Sequence, residues 1–157
     1  MKRRCVFLDR DGTVNVAPPP GEYILNREQF RLLPGIIDWI RIFNRLGFLV
    51  VIVTNQRGIA RGLMSQEDLA EIHRQMMLEI ERGGGRIDEI LCCPHEEGVC
   101  ACRKPQPGLV LDAQARWDID LASSVLIGDA ETDRELAARC GMGFIQVRDG
   151  HVVGGDL

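Results

Sequence analysis

The chain has 157 residues, 45% of them apolar and 27% charged, and carries a net charge of −4 at pH 7. That length fits one domain, residues 1–157, with enough chain to bury a sizeable core. An acidic balance with few aromatics points away from a nucleic-acid partner. No apolar run is long enough for a membrane, and Asp9 interrupts the apolar stretch behind Met1-Lys2-Arg3-Arg4 too early for a secretory leader, so the expected location is the cytoplasm.

Strand and helix patterns alternate along the chain. Cys5-Val6-Phe7-Leu8 reads as a short buried strand running into Asp9-Arg10-Asp11-Gly12-Thr13, two carboxylates at i and i+2 before a glycine turn. Pro18-Pro19-Pro20 is a stiff surface loop. Pro34-Gly35 opens a helix carrying Ile36, Ile37, Ile40, Phe43 and Leu46 at helical spacing, stopped at Gly47. Residues 48–53 form a nearly continuous apolar strand that runs into Thr54-Asn55-Gln56. Ser65 is placed as an N-cap ahead of an acidic first turn, with Leu69, Ile72, Met76 and Ile80 on the buried face and Gly83-Gly84-Gly85 at the end. Ile90-Leu91 closes a short third strand. A helix from Pro107-Gly108 through Trp117 follows, then a strand over Ser124–Ile127 leading into Gly128-Asp129-Ala130-Glu131-Thr132-Asp133. A helix over about 132–140 and a strand over Phe144–Val147 complete the pattern. Continuous apolar, β-branched strands are those buried on both faces. The expected fold is therefore α/β, a Rossmann-like doubly wound sheet of about five parallel strands with helices on both faces and no cap domain.

Of six cysteines, Cys5 and Cys140 are expected in the core. The other four, Cys92, Cys93, Cys100 and Cys102, lie close together with His95 among them. Cys93, His95, Cys100 and Cys102 offer three thiolates and one imidazole, the donor set of a closed structural zinc site on a small loop. A disulfide or reduced loop thiols are the alternatives. Glu96 and Glu97 in the same loop argue against a nucleic-acid zinc knuckle. Cys92, one residue before the motif, points to the opposite face if the strand continues.

In an open α/β sheet, chemistry sits at the carboxyl ends of the strands. There the chain carries Asp9 and Asp11, then Thr54, then Lys104, then Asp129 and Asp133: acids for a hard cation, a hydroxyl donor and a fixed positive charge. In chain order these segments resemble the four motifs of the haloacid dehalogenase superfamily, across roughly residues 5–147. The finer pattern is Asp9-Arg10-Asp11-Gly12-Thr13, Thr54-Asn55-Gln56-Arg57-Gly58-Ile59-Ala60-Arg61-Gly62 and Cys102-Arg103-Lys104-Pro105-Gln106-Pro107-Gly108. It is similar to the small capless, zinc-containing phosphatases that act on D-glycero-D-manno-heptose 1,7-bisphosphate, with histidinol-phosphate phosphatases as relatives.

The resemblance implies a magnesium-dependent phosphomonoesterase working through an aspartyl-phosphate. Asp9 is then the nucleophile and Asp11 the general acid and base. Magnesium is held by Asp9, the backbone carbonyl of Asp11, and Asp129. Thr54 and the backbone amide of Asn55 donate to the phosphoryl oxygens, and Lys104 offsets their charge. Asp133 either reaches the metal through water or positions Lys104. The related phosphatases carry the ligand order of Cys93, His95, Cys100 and Cys102, and a structural zinc there pins the loop so that Arg103 and Lys104 project into the site. Asn55, Gln56, Arg57, Arg61 and Arg103 are the expected substrate contacts, the arginines suiting sugar hydroxyls or a second phosphate. The expected partner is a small phosphorylated sugar, met by a monomer. Three positions depart from the heptose pattern: the gap between His95 and Cys100 is short, as in the histidinol-phosphate enzymes; Ala130 stands where a basic residue is frequent; and Arg57 stands where a small one is common. A polynucleotide-end phosphatase shares the Thr-Asn-Gln motif, but the acidic balance opposes it.

Overall fold

The computed structural model describes residues 1–157 in full. Six strands form one sheet: β1 (Cys5–Leu8), β2 (Leu49–Asn55), β3 (Glu89–Cys93), β4 (Val125–Gly128), β5 (Gly143–Arg148) and β6 (His151–Asp156). Their order is β3-β2-β1-β4-β5-β6, the first five parallel and β6 antiparallel to β5. Four helices connect them: α1 (Ile36–Arg45), α2 (Gln66–Arg82), α3 (Gly108–Trp117) and α4 (Glu131–Cys140).

β1 lies in the middle because nothing in it tolerates water. All four of its residues are buried, and Val6 pairs with Val50 on one side and Val125 on the other. Alternation splits its side chains between two cores. Val6 and Leu8 pack with Val50, Ile52, Ile40, Ile72 and Met76 under α1 and α2, while Cys5 and Phe7 pack with Val51, Val53, Val110 and Leu136 under α3 and α4. Burying each such side chain is worth about 1.5–3 kcal/mol, which sets the register of both layers. The chain winds β1, β2, β3 in one direction, then crosses back to lay β4 on the other side of β1. That reversal opens a crevice beyond the carboxyl ends of β1 and β4.

The expected helix starts are present. Ser65 Oγ accepts from Asp68 N at 3.0 Å and Asp68 Oδ2 accepts from Ser65 N at 2.9 Å, a closed capping box that fixes where α2 begins. β3 carries Cys92 into the α1/α2 core and Cys93 into the opposite one, as alternation requires.

The five expected parallel strands are present, with one addition and one correction. The sheet has a sixth strand, fully exposed and antiparallel, turned back on β5 through Asp149 (φ 50°) and Gly150 (φ 82°). Left-handed Asp-Gly is a tight hairpin turn, and that dipeptide was the available sequence signal. Cys140 is only half-buried at the end of α4, beside the α3/α4 core rather than inside it. No helix is long and apolar enough to cross a membrane.

Candidate active site

Parallel strands deliver all their carboxyl ends to one edge. Asp9 follows β1 directly, its N–H still bonded to Ile127 O at 3.0 Å, and Asp129 follows β4. Asp133 sits in the first turn of α4, where its Oδ2 accepts from Ala130 N at 3.2 Å. The carboxylates of Asp9, Asp129 and Asp133 each bring an oxygen within 4.8 Å of the others. Two glycines permit this crowding. A Cβ on Gly12 would lie 2.1 Å from Asp129 Oδ2, and one on Gly128 would lie 2.3 Å from Asp133 Oδ2.

Lys104, only 4% exposed, lies between them, with Nζ 2.6 Å from Asp9 Oδ1 and 2.8 Å from Asp133 Oδ1. Burial alone would lower the lysine's pKa; the two carboxylates outweigh it and hold the ammonium charged. Burial, and after it the charge of Asp133, push Asp9 well above the usual carboxylate range, with Lys104 pulling the other way. Asp129 is also raised, first by burial. Three crowded carboxylates against one ammonium leave an excess of negative charge on hard oxygen donors. That donor set fits a magnesium-like dication.

Lys104 is aimed by a clamp that the sequence did not suggest. The side-chain amide of Asn55, at the end of β2, accepts from Lys104 N at 2.9 Å and donates to Lys104 O at 3.2 Å. Asn55's side chain is thereby committed to the protein, leaving only its backbone amide for a ligand. Gln56 is likewise turned inward, 1% exposed, donating to Thr54 Oγ1 at 2.9 Å and approaching Asp11 Oδ2 at 3.4 Å. Because Thr54 accepts there, its hydroxyl hydrogen is free for a ligand oxygen. Asp11 is held by Arg10 and Asn15, two residues that the sequence reading passed over.

On the loop after β3, Cys93 Sγ lies 2.9 Å from Cys102 Sγ and 3.5 Å from both Cys100 Sγ and His95 Nδ1, while His95 Nδ1 is 3.3 Å from Cys102 Sγ. All six cysteines are free thiols. Four soft donors gathered on one point suit tetrahedral zinc, whose ligand sulfurs sit about 3.8 Å apart for bonds of about 2.3 Å. Burial pushes the Cys93 and Cys102 thiols up, whereas at Cys100 the Arg103 and Cys102 N–H groups and the neighbouring thiols outweigh burial and pull the thiol down to about 6, so one of the three thiols is drawn toward the thiolate form. The loop is seated on α3, where a Cβ on Gly108 would lie 2.4 Å from Ala101 O.

At the rim, Tyr23 Oη accepts from Arg57 Nε at 3.1 Å and Arg61 Nη1 at 3.2 Å, and Glu96 on the metal loop pairs with Arg61 at 2.7 Å and Arg57 at 3.9 Å. Tyr23 and Glu96 join three separate loops and were not foreseen. Arg103 carries a buried Nη1 with no hydrogen-bond partner.

Comparison with known proteins follows the same lines. The HAD-hydrolase-like family profile matches residues 101–156. A D-glycero-β-D-manno-heptose-1,7-bisphosphate 7-phosphatase of Rhodopseudomonas palustris is 41% identical over 149 residues, 90% of this chain and 81% of that protein. A D-glycero-α-D-manno-heptose-1,7-bisphosphate 7-phosphatase of Mycobacterium tuberculosis is 42% identical over 135 residues, 85% of this chain and 70% of that protein. The crystal structure of D,D-heptose 1,7-bisphosphate phosphatase from B. bronchiseptica, complexed with magnesium and phosphate, superposes with a TM-score of 0.86 at 36% identity, covering 94% of this chain and 83% of that one.

Proposed function

The chain belongs to the haloacid dehalogenase-like phosphatases, and we propose that it removes the 7-phosphate of D-glycero-D-manno-heptose 1,7-bisphosphate through an aspartyl-phosphate intermediate. The observation that carries this reading is the buried ion-paired set of Asp9, Lys104 and Asp133, with Asp129 beside it, in the crevice beyond β1 and β4.

Asp9 attacks phosphorus while Asp11 gives its proton to the departing sugar oxygen. Water then attacks the aspartyl-phosphate as Asp11 takes a proton back. The Thr54 hydroxyl and the Asn55 backbone N–H donate to the phosphoryl oxygens, and Lys104 keeps Asp9 oriented and offsets the accumulating charge. Asp9, Asp129 and the backbone carbonyl of Asp11 would hold magnesium, which would supply further charge neutralisation at the phosphoryl group. Asp133 serves Lys104 rather than the substrate, since its Oδ1 receives the ammonium and its Oδ2 receives the Ala130 N–H. Zinc on Cys93, His95, Cys100 and Cys102 is structural and fixes the segment that carries Lys104.

Arg103, with its unpartnered Nη1, supports contact with the second phosphate of a bisphosphate. Arg57 and Arg61 lie on the same rim, available to that phosphate if Glu96 gives them up. The relatives' names divide between the α and β anomers, so the reading is made for the shared heptose. It describes a cytoplasmic monomer acting on a free small molecule.

Phosphate release with magnesium tests it, using both heptose bisphosphate anomers, histidinol phosphate, other sugar phosphates and a 3′-phosphorylated oligonucleotide. A heptose bisphosphate should give the highest kcat/KM. A higher value on histidinol phosphate or on the oligonucleotide overturns the substrate assignment.

A further inference from the structure

Behind Asp11 lies a buried cation that the reaction described above does not use. Arg10 is 0% exposed, and its Nε and Nη2 both donate to Oδ1 of Asp11, at 3.0 and 2.8 Å. Asn15 Nδ2 adds a third donor to the same oxygen at 3.0 Å. The other carboxylate oxygen, Oδ2, has only Gln56 Nε2 at 3.4 Å. One oxygen of the acid/base carboxylate is therefore saturated and the other nearly free.

Arg10 is itself anchored from the far side. Its Nη1 lies 3.1 Å from Nε2 of His73 on α2, and its guanidinium carbon lies 5.8 Å from the centre of the Phe30 ring. A guanidinium has no acceptor, so this contact makes Nε2 the acceptor and puts the imidazole hydrogen on Nδ1. Burial first, and the Arg10 charge second, lower His73 to about 4, in keeping with a neutral ring. A histidine with an ordinary pKa would not serve an arginine well, because its protonated form has nothing to accept with.

We propose that His73, acting through Arg10, is a positioning residue that fixes Asp11 by Oδ1 and leaves Oδ2 as the oxygen that gives and takes the proton. The inference rests on the acid/base role assigned to Asp11. In the first half-reaction the Asp9–phosphorus bond forms, the bond from phosphorus to the sugar oxygen breaks, and the proton passes from Oδ2 to that oxygen. In the second, the water oxygen bonds to phosphorus, the bond from the Asp9 oxygen to phosphorus breaks, Oδ2 takes the water's proton, and inorganic phosphate leaves with Asp9 a free carboxylate. A guanidinium that has lost its far anchor can swing, and the carboxylate it holds swings with it; misplacement of this kind is costly to proton transfer.

The test compares kcat/KM, which reports the steps up to formation of the aspartyl-phosphate and not its hydrolysis, for wild type, His73→Leu and His73→Gln on two substrates, heptose bisphosphate and p-nitrophenyl phosphate. The sugar oxygen needs a proton as it leaves; nitrophenolate does not. His73→Leu should lower kcat/KM about tenfold on the bisphosphate, with less than about a twofold change on nitrophenyl phosphate. His73→Gln retains a carbonyl acceptor for Arg10 and should recover most of the loss. Equal loss on both substrates, no loss on the bisphosphate, or a Gln variant no better than Leu overturns the inference while leaving the phosphatase reading intact. Should the Leu variant not fold, His73→Asn, whose acceptor falls short of Arg10, carries the same comparison. Wild-type protein that hydrolyses neither substrate overturns the phosphatase reading, and this inference with it.

Discussion

The carboxylate site and the thiolate loop adjoin one another, yet they are held together in opposite ways. Asp9, Asp129, Asp133 and Lys104 come from segments far apart in the chain, and the sheet and buried ion pairs bring them together. Cys93, His95, Cys100 and Cys102 come from one short stretch, with Cys93 seated in the α3/α4 core, Cys100 and Cys102 at its edge and His95 exposed. The first group is organised by the fold; on the function proposed above, the second would be organised by a bound zinc. Lys104 lies two residues beyond Cys102, so the fold-made site would then depend on the metal-made one for its only ammonium.

The largest test of this contrast is Asp9→Asn. The amide keeps the shape of the carboxylate but loses its nucleophilicity, so turnover measured by phosphate release should fall by about a thousandfold or more. Thermal unfolding should still show a cooperative transition. Substantial residual turnover in a clean preparation would remove Asp9 from the nucleophile role.

Zinc removal comes next. Stripping the loop with a thiophilic chelator, or replacing Cys100 with Ser, should loosen Lys104 and cut kcat about ten- to a hundredfold, with zinc restoring the stripped wild type and magnesium failing to. Full activity in metal-analysed, zinc-free protein would mean that Asn55 alone holds Lys104, and the contrast between the two sites would collapse.

The smallest effect is a pH dependence on the fold-made side. His73 has an ordinary pKa of 6.5 in the unfolded chain and about 4 when folded. Its contribution to stability is therefore complete above pH 6.5 and is lost as pH falls toward 4, because the unfolded chain takes up a proton that the folded one refuses. The slope from this group is at most about 1.4 kcal/mol per pH unit. Denaturant unfolding at pH 7.5 and pH 5 should show wild type losing more stability than His73→Gln. Parallel losses would mean that His73 titrates normally in the fold.

Much of the architecture was legible in the sequence because its physics is local. Continuous apolar runs marked buried parallel strands, and the polar residues just after them marked the edge where β1, β2 and β4 end. β6 escaped because a solvated edge strand, His151-Val152-Val153-Gly154-Gly155-Asp156, has neither alternation nor a buried face to reveal it. The Asn55 clamp, the inward turn of Gln56 and the Arg10–His73 contact were illegible for another reason. Each depends on where a side chain points across a tertiary interface; Arg10 and His73 are 63 residues apart and meet only because α2 packs over the end of β1. A resemblance carries a residue's role onto a position. It does not say which neighbour aims the residue there.

The order of the strands also has a consequence for the growing chain. β1 and Asp9 are made early, but the neighbour that completes the crevice comes much later; Cys5 N and its partner Ser124 Oγ are 119 residues apart. Until β4 leaves the ribosome, β1 has one open flank and Asp9 has neither Asp129 nor Asp133 beside it. The cluster of Asp9, Asp129, Asp133 and Lys104 therefore assembles only as the last third of the chain docks. The same delay leaves one flank of an apolar central strand open during translation, a non-local pairing of the kind that slows folding.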